Sequence, residues 1–465
     1  MPCPFLSKLS TQYVQTYAVL LLQLYGKHCP IISRILSSAA KNKDGFFDYD
    51  NFFDQQIFKK KKEHSYRVFK TINRLAGPCE FPTAIEYSYK HAQIIVWCSN
   101  DYLGMSSHSE VKAAASKALE LYGTGAGGTR NISGNSLLHE QLELQLAQLH
   151  KKDAALLFTS CFVANDSTLC TLAQALPKCQ IFSDSGNHAS MIRGISNSRV
   201  PKHIFKHNDP VHLKHLLETV DRSIPKIVVF ETVHSMSGDV VPLEDFCDIS
   251  HQYGALTFVD EVHAVGLYGE HGAGIGERDN VMHKIDIIAG TLGKAFGTMG
   301  GYIASTNALT DMVRSYAPGF IFTTSLPPAV VAGAHKSIEI LSSQEGTILR
   351  QKHQTNVKYL RNLLIAKGFP VEPTSSHMIP IKIGNPVKCS AICDILLKEK
   401  GHYIQAINHP TVAKGEEQLR LAPTPHHSKE LMDRLVEDLS DVWFHLGLSL
   451  IDQSNKVSSV FQNRI

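Results

Sequence analysis

Lys294 stands in the run Gly290-Thr291-Leu292-Gly293-Lys294-Ala295-Phe296-Gly297, directly after the apolar run Ile285-Asp286-Ile287-Ile288-Ala289. A lysine at the end of a buried strand, among glycines that let a ligand approach the backbone, is placed to form a Schiff base with an aldehyde cofactor. That chemistry points to pyridoxal phosphate. Taken alone, the same residue reads as a solvated loop lysine, so its partners decide. Asp260 is the strongest of them: it ends the run Leu256-Thr257-Phe258-Val259 and leads into Glu261-Val262-His263. A carboxylate there can hold a pyridine nitrogen protonated, so that the ring draws electrons from a carbanion; as a helix N-cap it would do nothing of the kind. His263 can donate to a phenolic ring oxygen.

His188, in Ser183-Asp184-Ser185-Gly186-Asn187-His188, also follows a strand-like run and can stack on a planar cofactor. With 24 histidines in the chain, its position rather than its identity selects it. Phosphate anchoring calls for backbone N–H groups and hydroxyls, which Ser160-Cys161-Phe162-Val163 after Phe158 offers at a helix start, with Thr291 as a further donor. The segment Gly123-Thr124-Gly125-Ala126-Gly127-Gly128 matches G-x-G-x-x-G in form. It follows the helical run Val111 to Tyr122 instead of a strand, which is the wrong context for a dinucleotide site. The alternative is a backbone turn presenting Thr129, Arg130 and Asn131 to a ligand.

The elements that must carry these residues alternate along about 105–325. Apolar strands are expected at Ala154 to Phe158, Gln180 to Ser183, Lys226 to Phe230, Leu256 to Val259, Ile285 to Ala289 and Gly301 to Ala304, with helical patterns between them. Strands without period-two alternation, separated by helices, predict an α/β fold with a mostly parallel sheet covered on both faces, and ligands bound beyond the strands' carboxyl ends. After Pro328 a smaller α+β unit is expected, with a strand at Met378 to Ile383, a helix from about Cys389 to Lys400, a strand near Gln418 to Leu421 and a closing helix Lys429 to Leu446. The run 44–99 predicts an amphipathic helix rich in phenylalanine, with Lys59 to Lys62 as its solvated face, and then a strand at Gln93 to Cys98. The expected divisions are a leader at 1–43, an N-terminal segment at 44–104, a large cofactor-binding domain at 105–328, a small C-terminal domain at 329–450 and a tail at 451–465.

Composition narrows the partners. A net charge of +3, from 46 basic against 43 acidic residues, carries no basic stripe for nucleic acid. The stretch Val14 to Leu24, interrupted by Gln15 and Gln23, is too short to span a bilayer, so no integral membrane segment is expected. The ten cysteines lack paired metal spacing and read as reduced, mostly buried thiols. No acid precedes Asp44, whereas five basic residues and many hydroxyls do, which fits a mitochondrial targeting segment or a basic tail. The pairs Cys3-Pro4 and Cys29-Pro30 are either chance or soft axial ligands for haem iron.

Longer runs carry a resemblance: Val96-Trp97-Cys98-Ser99-Asn100-Asp101-Tyr102-Leu103-Gly104-Met105, Gly127-Gly128-Thr129-Arg130-Asn131-Ile132-Ser133-Gly134, and Arg314-Ser315-Tyr316-Ala317 with Gly319-Phe320-Ile321-Phe322-Thr323-Thr324-Ser325-Leu326-Pro327-Pro328. From about residue 46 to 450 the chain resembles the α-oxoamine synthases. These are pyridoxal-phosphate enzymes of the aspartate-aminotransferase-like fold type I that condense an amino acid with an acyl-CoA thioester and lose carbon dioxide. Within them it is similar to the members that join glycine to succinyl-CoA, the first step of haem biosynthesis.

The resemblance implies a role for each matching residue. Lys294 becomes the Schiff-base lysine and general base, Asp260 the pyridinium partner and His188 the stacking ring, with Ser235 and His263 beside the ring oxygen. Cys161 and Phe162 belong to the cofactor loop, Thr291 and Thr323 to the cofactor site, and Thr324 reaches the phosphate of the other subunit. Arg420 grips the glycine carboxylate; Arg67, Thr129 and Asn131 hold the succinyl end; Asn100 lies near the reacting carbons and Thr411 in a closing loop. A homodimer with shared sites, a mitochondrial matrix location and a regulatory haem at Cys3 and Cys29 belong to the same expectation. The chain departs from the pattern at Ser237, where an acid is expected and Asp239 stands two residues on, at His409 in place of tyrosine, and at Thr298-Met299. A sibling synthase for serine, alanine or a fatty acyl-CoA would have no use for a polar clamp of Arg67, Thr129 and Asn131. A silent partner subunit would not be expected to keep Lys294.

Overall fold

The structure, a computed structural model, describes residues 47–451, in two compact units that meet in sequence between Phe69 and Lys70. The expectations for the leader, for Cys3 and Cys29 and for the tail therefore lie outside the described residues. The first unit holds the helix Tyr49–Lys62, started by Asp48, whose Oδ1 accepts from Asn51 N–H at 3.1 Å. Asp50 in its first turn and Lys59 to Lys62 in its last both suit the helix dipole. The lysines are solvated as expected, and Phe52, Phe53 and Phe58 are exposed too, since this helix buries no residue.

In the second unit, β1 (Ile72–Arg74), β2 (Thr83–Glu86) and β3 (Ala92–Val96) come first. They are followed by β4 (Ala154–Phe158), β5 (Gln180–Asp184), β6 (Lys202–Phe205), β7 (Lys226–Glu231), β8 (Ala255–Asp260), β9 (Ile287–Thr291) and β10 (Gly301–Ser305). The last seven form one sheet in the order β4-β10-β9-β8-β7-β5-β6, parallel throughout except for β10, which runs against both β4 and β9. Alternate side chains go to opposite faces: Val228, Phe230, Val259, Ile288 and Tyr302 enter one core, and Ile227, Val229, Phe258, Ile287 and Ile303 the other. Both faces being apolar is why these strands read as continuous hydrophobic runs. β6 was not anticipated. Its Lys-His-Ile-Phe buries only Phe205, as suits an edge strand.

Farther along, β11 (Ile379–Lys382), β12 (His402–Tyr403), β13 (Ala406–Ile407) and β14 (Gln418–Leu421) supply two small sheets. β11, β14 and β13 form an antiparallel sheet, packed with the helices Gln344–Ala366, Pro386–Ile395 and Lys429–His445 through Leu360, Ile392, Leu421 and Leu435. The helix expected from Cys389 begins earlier, at Pro386, because Asn385 caps it by accepting from Val387 and Lys388 N–H at 3.0 Å each. Beyond Ile395 it widens into a π-type turn, Leu396–Lys400, that ends at Gly401 with φ +74°. β12 pairs in parallel with β3 and completes the sheet β1-β2-β3-β12. Trp97 fastens that seam: its Nε1–H donates to His402 Nδ1 at 3.0 Å, and its carbonyl accepts from Ala422 N–H at 2.8 Å. Among the described residues no helix is long and apolar enough to cross a membrane.

Candidate active site

The carboxyl ends of β7, β8 and β9 bring Glu231, Asp260 and Thr291 to one side of the sheet, where the strand edges can serve a ligand. Lys294, three residues beyond β9, turns back over them and lines one cavity with Cys161, Phe162, His188, Asp260 and His263. From its amine runs a chain of hydrogen bonds. Lys294 Nζ lies 2.7 Å from His263 Nε2, and His263 Nδ1 lies 2.8 Å from the Tyr102 hydroxyl. That hydroxyl donates to Asn100 Oδ1 at 3.2 Å, and the same oxygen accepts from Arg420 at 2.9 Å. The other arm of Arg420 donates to the Ser235 carbonyl at 2.9 Å. Its planar fork, held by these two bonds, lines a separate pocket with Asn100 and is suited to a carboxylate.

Asp260 is fixed from two sides, accepting from Val262 N–H at 2.9 Å and from Asn165 Nδ2 at 2.7 Å. Asn165 also donates to Ser190 Oγ at 3.0 Å, which is 2.8 Å from His188 Nδ1, so the acid and the exposed imidazole share one scaffold. Phe162 stands edge-on to His188 with centroids 6.4 Å apart. The helix Cys161–Ala175 is capped by Ser160, whose Oγ accepts from Val163 N–H at 3.2 Å, leaving the Cys161 and Phe162 N–H groups at its first turn. Gly301 is required here, because a Cβ on it would lie 2.2 Å from Cys161 N.

Burial, opposed by the Asp260 charge, brings the Lys294 amine down from 10.5 to about 8, so about a tenth of it is already unprotonated at pH 7. Burial and the neighbouring Lys294 and Arg420 charges hold His263 well below its usual range, and it is neutral. Burial next to Asp260 pushes the Glu231 carboxyl well above its usual range. The lysine shift predicts a stability effect of definite sign. Between pH 8 and 10.5 the unfolded chain holds more protons than the native one, so the cost of the buried cation is full below about pH 8 and fades as pH rises. In the cofactor-free protein Lys294→Met is expected to be more stable than the parent at pH 7, by on the order of 1–3 kcal/mol. The gap should shrink by pH 10; denaturant melts at the two pH values measure it, and coincident curves at pH 7 would contradict it.

The cavity and its hydrogen-bond chain gather Asn100, Cys161, Phe162, His188, Asp260, His263, Thr291, Lys294, Arg420 and the carbonyl of Ser235. Thr129, Thr323 and Thr324 form a second group: Thr129 and Thr324 make an antiparallel bridge, and Thr323 and Thr324 line a small pocket with Arg130 and Phe158. Asn131 is on the adjoining turn, exposed. Thr411 sits in the turn that follows Asn408, to whose carbonyl its N–H donates at 3.0 Å. Arg67 belongs to the first unit. Three residues of the site were not anticipated from sequence: Tyr102, Asn165 and Glu231. Glu231 carried a signal, since it ends its apolar run just as Asp260 does, and the two are register partners across β7 and β8. Asn165 sits one helical turn beyond Cys161, where i,i+4 spacing puts it on the same face.

Residues 92–439 match the family of aminotransferases class I and II, and solved structures agree with that class. A serine palmitoyltransferase variant from S. paucimobilis with a bound pyridoxal-phosphate–myriocin aldimine superposes with a TM-score of 0.80 at 26% identity, covering 86% of this chain and 100% of that one. An 8-amino-7-oxononanoate synthase from Francisella tularensis gives 0.64 at 25% identity, covering 76% of this chain and 99% of that one. In sequence, the erythroid-specific mitochondrial 5-aminolevulinate synthase of Homo sapiens is 62% identical over 409 residues, 88% of this chain and 70% of that protein. Its counterpart in Opsanus tau is 60% identical over 421 residues, 90% and 72% of the two chains. The chain belongs to the 5-aminolevulinate synthases of this class.

Proposed function

We infer that the protein condenses glycine with succinyl-CoA, using pyridoxal phosphate, to give 5-aminolevulinate, CoA and carbon dioxide. The observation that carries the site assignment is the pairing of a half-buried Lys294 amine, brought down to about 8, with a doubly hydrogen-bonded carboxylate at Asp260 in one cavity. The donor set suits the cofactor: an amine for its aldehyde, a carboxylate for its ring nitrogen, an exposed imidazole for its face, and first-turn N–H groups for its phosphate. When bound, pyridoxal phosphate supplies an electron sink for negative charge at the α-carbon of glycine.

The chain's own residues do the rest. Lys294 Nζ would hold the aldehyde carbon and, once displaced by glycine, take the α proton. His263, neutral and 2.7 Å away, keeps that amine oriented. Asp260 would hold a proton on the ring nitrogen, and Arg420 would take the glycine carboxylate in its fork. The hydroxyl and methyl of Thr129 would crowd the α-carbon pocket and favour glycine, while Asn131 and Arg67 would bind the succinyl carboxylate. Purified protein supplied with the cofactor, glycine and succinyl-CoA should release 5-aminolevulinate. Product from other acyl-CoAs in its place would redirect the assignment to a sibling synthase.

A homodimer with shared sites belongs to this proposal. Thr129, Thr323 and Thr324 line a group apart from the Lys294 cavity, and Ile132 and Phe322 beside them are 72% and 77% exposed, apolar surface suited to a second copy. Two inactive variants, Lys294→Ala and Thr129→Trp, should complement when co-expressed, restoring about a quarter of the activity through mixed dimers with one intact site. Complete absence of complementation would place all groups on one chain. A mitochondrial matrix location and haem control through Cys3 and Cys29 complete the proposal. A full-length Cys3→Ala, Cys29→Ala variant that gives the parental haem spectrum would remove the second.

A further inference from the structure

Away from the Lys294 hydrogen-bond chain, Asp184, His207 and His234 each bring one donor atom to within 4.8 Å of the others, and no second such group occurs among the described residues. Topology explains the convergence. Asp184 ends β5, His207 follows β6 and His234 follows β7, and β5 lies between β6 and β7 in the sheet, so three strand ends meet.

The site is built rather than accidental. Asp184 is 1% exposed; its Oδ1 accepts from His207 Nδ1–H at 2.8 Å and from Gly186 N–H at 2.6 Å, and its Oδ2 accepts from Asn208 N–H at 2.9 Å. The outer Nε2 of His207 lies 3.5 Å from Asp239 Oδ2. His234 is 3% exposed and stands edge-on to His207 with ring centroids 4.0 Å apart, and its Nε2 has no hydrogen-bond partner. A buried imidazole nitrogen left without a partner is costly, and a cation would satisfy it. A Cβ on Gly186 would lie 2.7 Å from His207 Nδ1, so the loop is shaped to let that ring in. Asp239, standing two residues beyond the place where an acid was expected, puts a second carboxylate against the same ring.

We propose that Asp184, His207 and His234 bind one divalent first-row transition cation, with Asp239 holding the outer nitrogen of His207. Two imidazoles and one carboxylate with a solvent ligand suit zinc, and too few oxygens converge for calcium or magnesium. Metal bonds of about 2.0–2.1 Å place ligand atoms roughly 3.3 Å apart, so the Asp184–His207 pair opens slightly, and the cation replaces the His207 Nδ1 proton, which leaves to solvent. Asp239 then completes a carboxylate–histidine–metal arrangement, in which the outer carboxylate fixes the ring. Asp184 precedes His188 by four residues and His234 precedes Ser235, so the cation would tie together the loops behind the cofactor cavity.

Untagged holoenzyme, stripped with a chelator and dialysed, should bind one zinc ion per chain and raise its melting temperature on doing so. Cobalt in the same site should give the visible absorption of a four-coordinate ion. His234→Ala should lose stoichiometric binding, and Asp239→Asn, whose side chain is 41% exposed and leaves the buried set intact, should bind about 10–100-fold more weakly. A parent protein that binds neither zinc nor cobalt at this stoichiometry overturns the proposal. So does an Asp239→Asn variant with parental affinity and cobalt spectrum, a result readable even if His234→Ala fails to fold.

Discussion

Lys294→Ala should lower turnover by about 10⁴-fold, the upper range for removing a positioned acid–base group, before the lost covalent hold on the cofactor is counted. The amine is both the attachment point and the nearest base, and its value of about 8 makes it competent for both tasks at working pH. Two controls separate lost chemistry from lost structure. The buried cation destabilises the empty site, so the variant should melt no earlier than the parent in the absence of cofactor. Added small primary amines should restore part of the rate. A kcat within tenfold of the parental value would remove Lys294 from the mechanism.

Asp260→Asn is expected to lower kcat by roughly 10²–10³-fold, as for removal of one preorganised electrostatic partner, with cofactor affinity much less affected. The substitution keeps shape, and its carbonyl oxygen can still accept from Val262 N–H. It loses the charge that would keep a ring nitrogen protonated, and it sets an amide against Asn165 Nδ2. Asp260→Glu keeps the charge and separates that effect from packing. Steady-state kinetics on both variants, with cofactor absorbance as the occupancy control, measure it. Equal rates for Asp260→Asn and the parent would leave the carboxylate only the holding of the turn at Val262.

The site residues that sequence revealed were those at strand ends. Lys294, Asp260 and His188 follow apolar runs that the parallel sheet buries on both faces, and such runs announce both the strand and the place where its ligand edge begins. Tyr102 and Asn165 escaped notice because their roles depend on partners far along the chain: Tyr102 is 161 residues from His263, and Asn165 is 95 from Asp260. β6 and β12 were missed for a different reason. β6 is an edge strand with a mostly uncovered face, and the two residues of β12 exist as a strand only because β3 is beside them. The expected helix after Cys389 was right in kind and short at its start, since the asparagine cap and the proline at N1 outweighed the apolar pattern used to place it.

The seam between β3 and β12 bears on how the chain is made. Trp97 and His402 are 305 residues apart, so the ribosome releases β1 to β3 long before their neighbouring strand exists. At about 5–20 residues per second the open edge waits roughly 15–60 s. During that time the run Gln93-Ile94-Ile95-Val96-Trp97-Cys98 is an unpaired apolar template. A newly made chain truncated before residue 402 should therefore be held by chaperones or lost to aggregation.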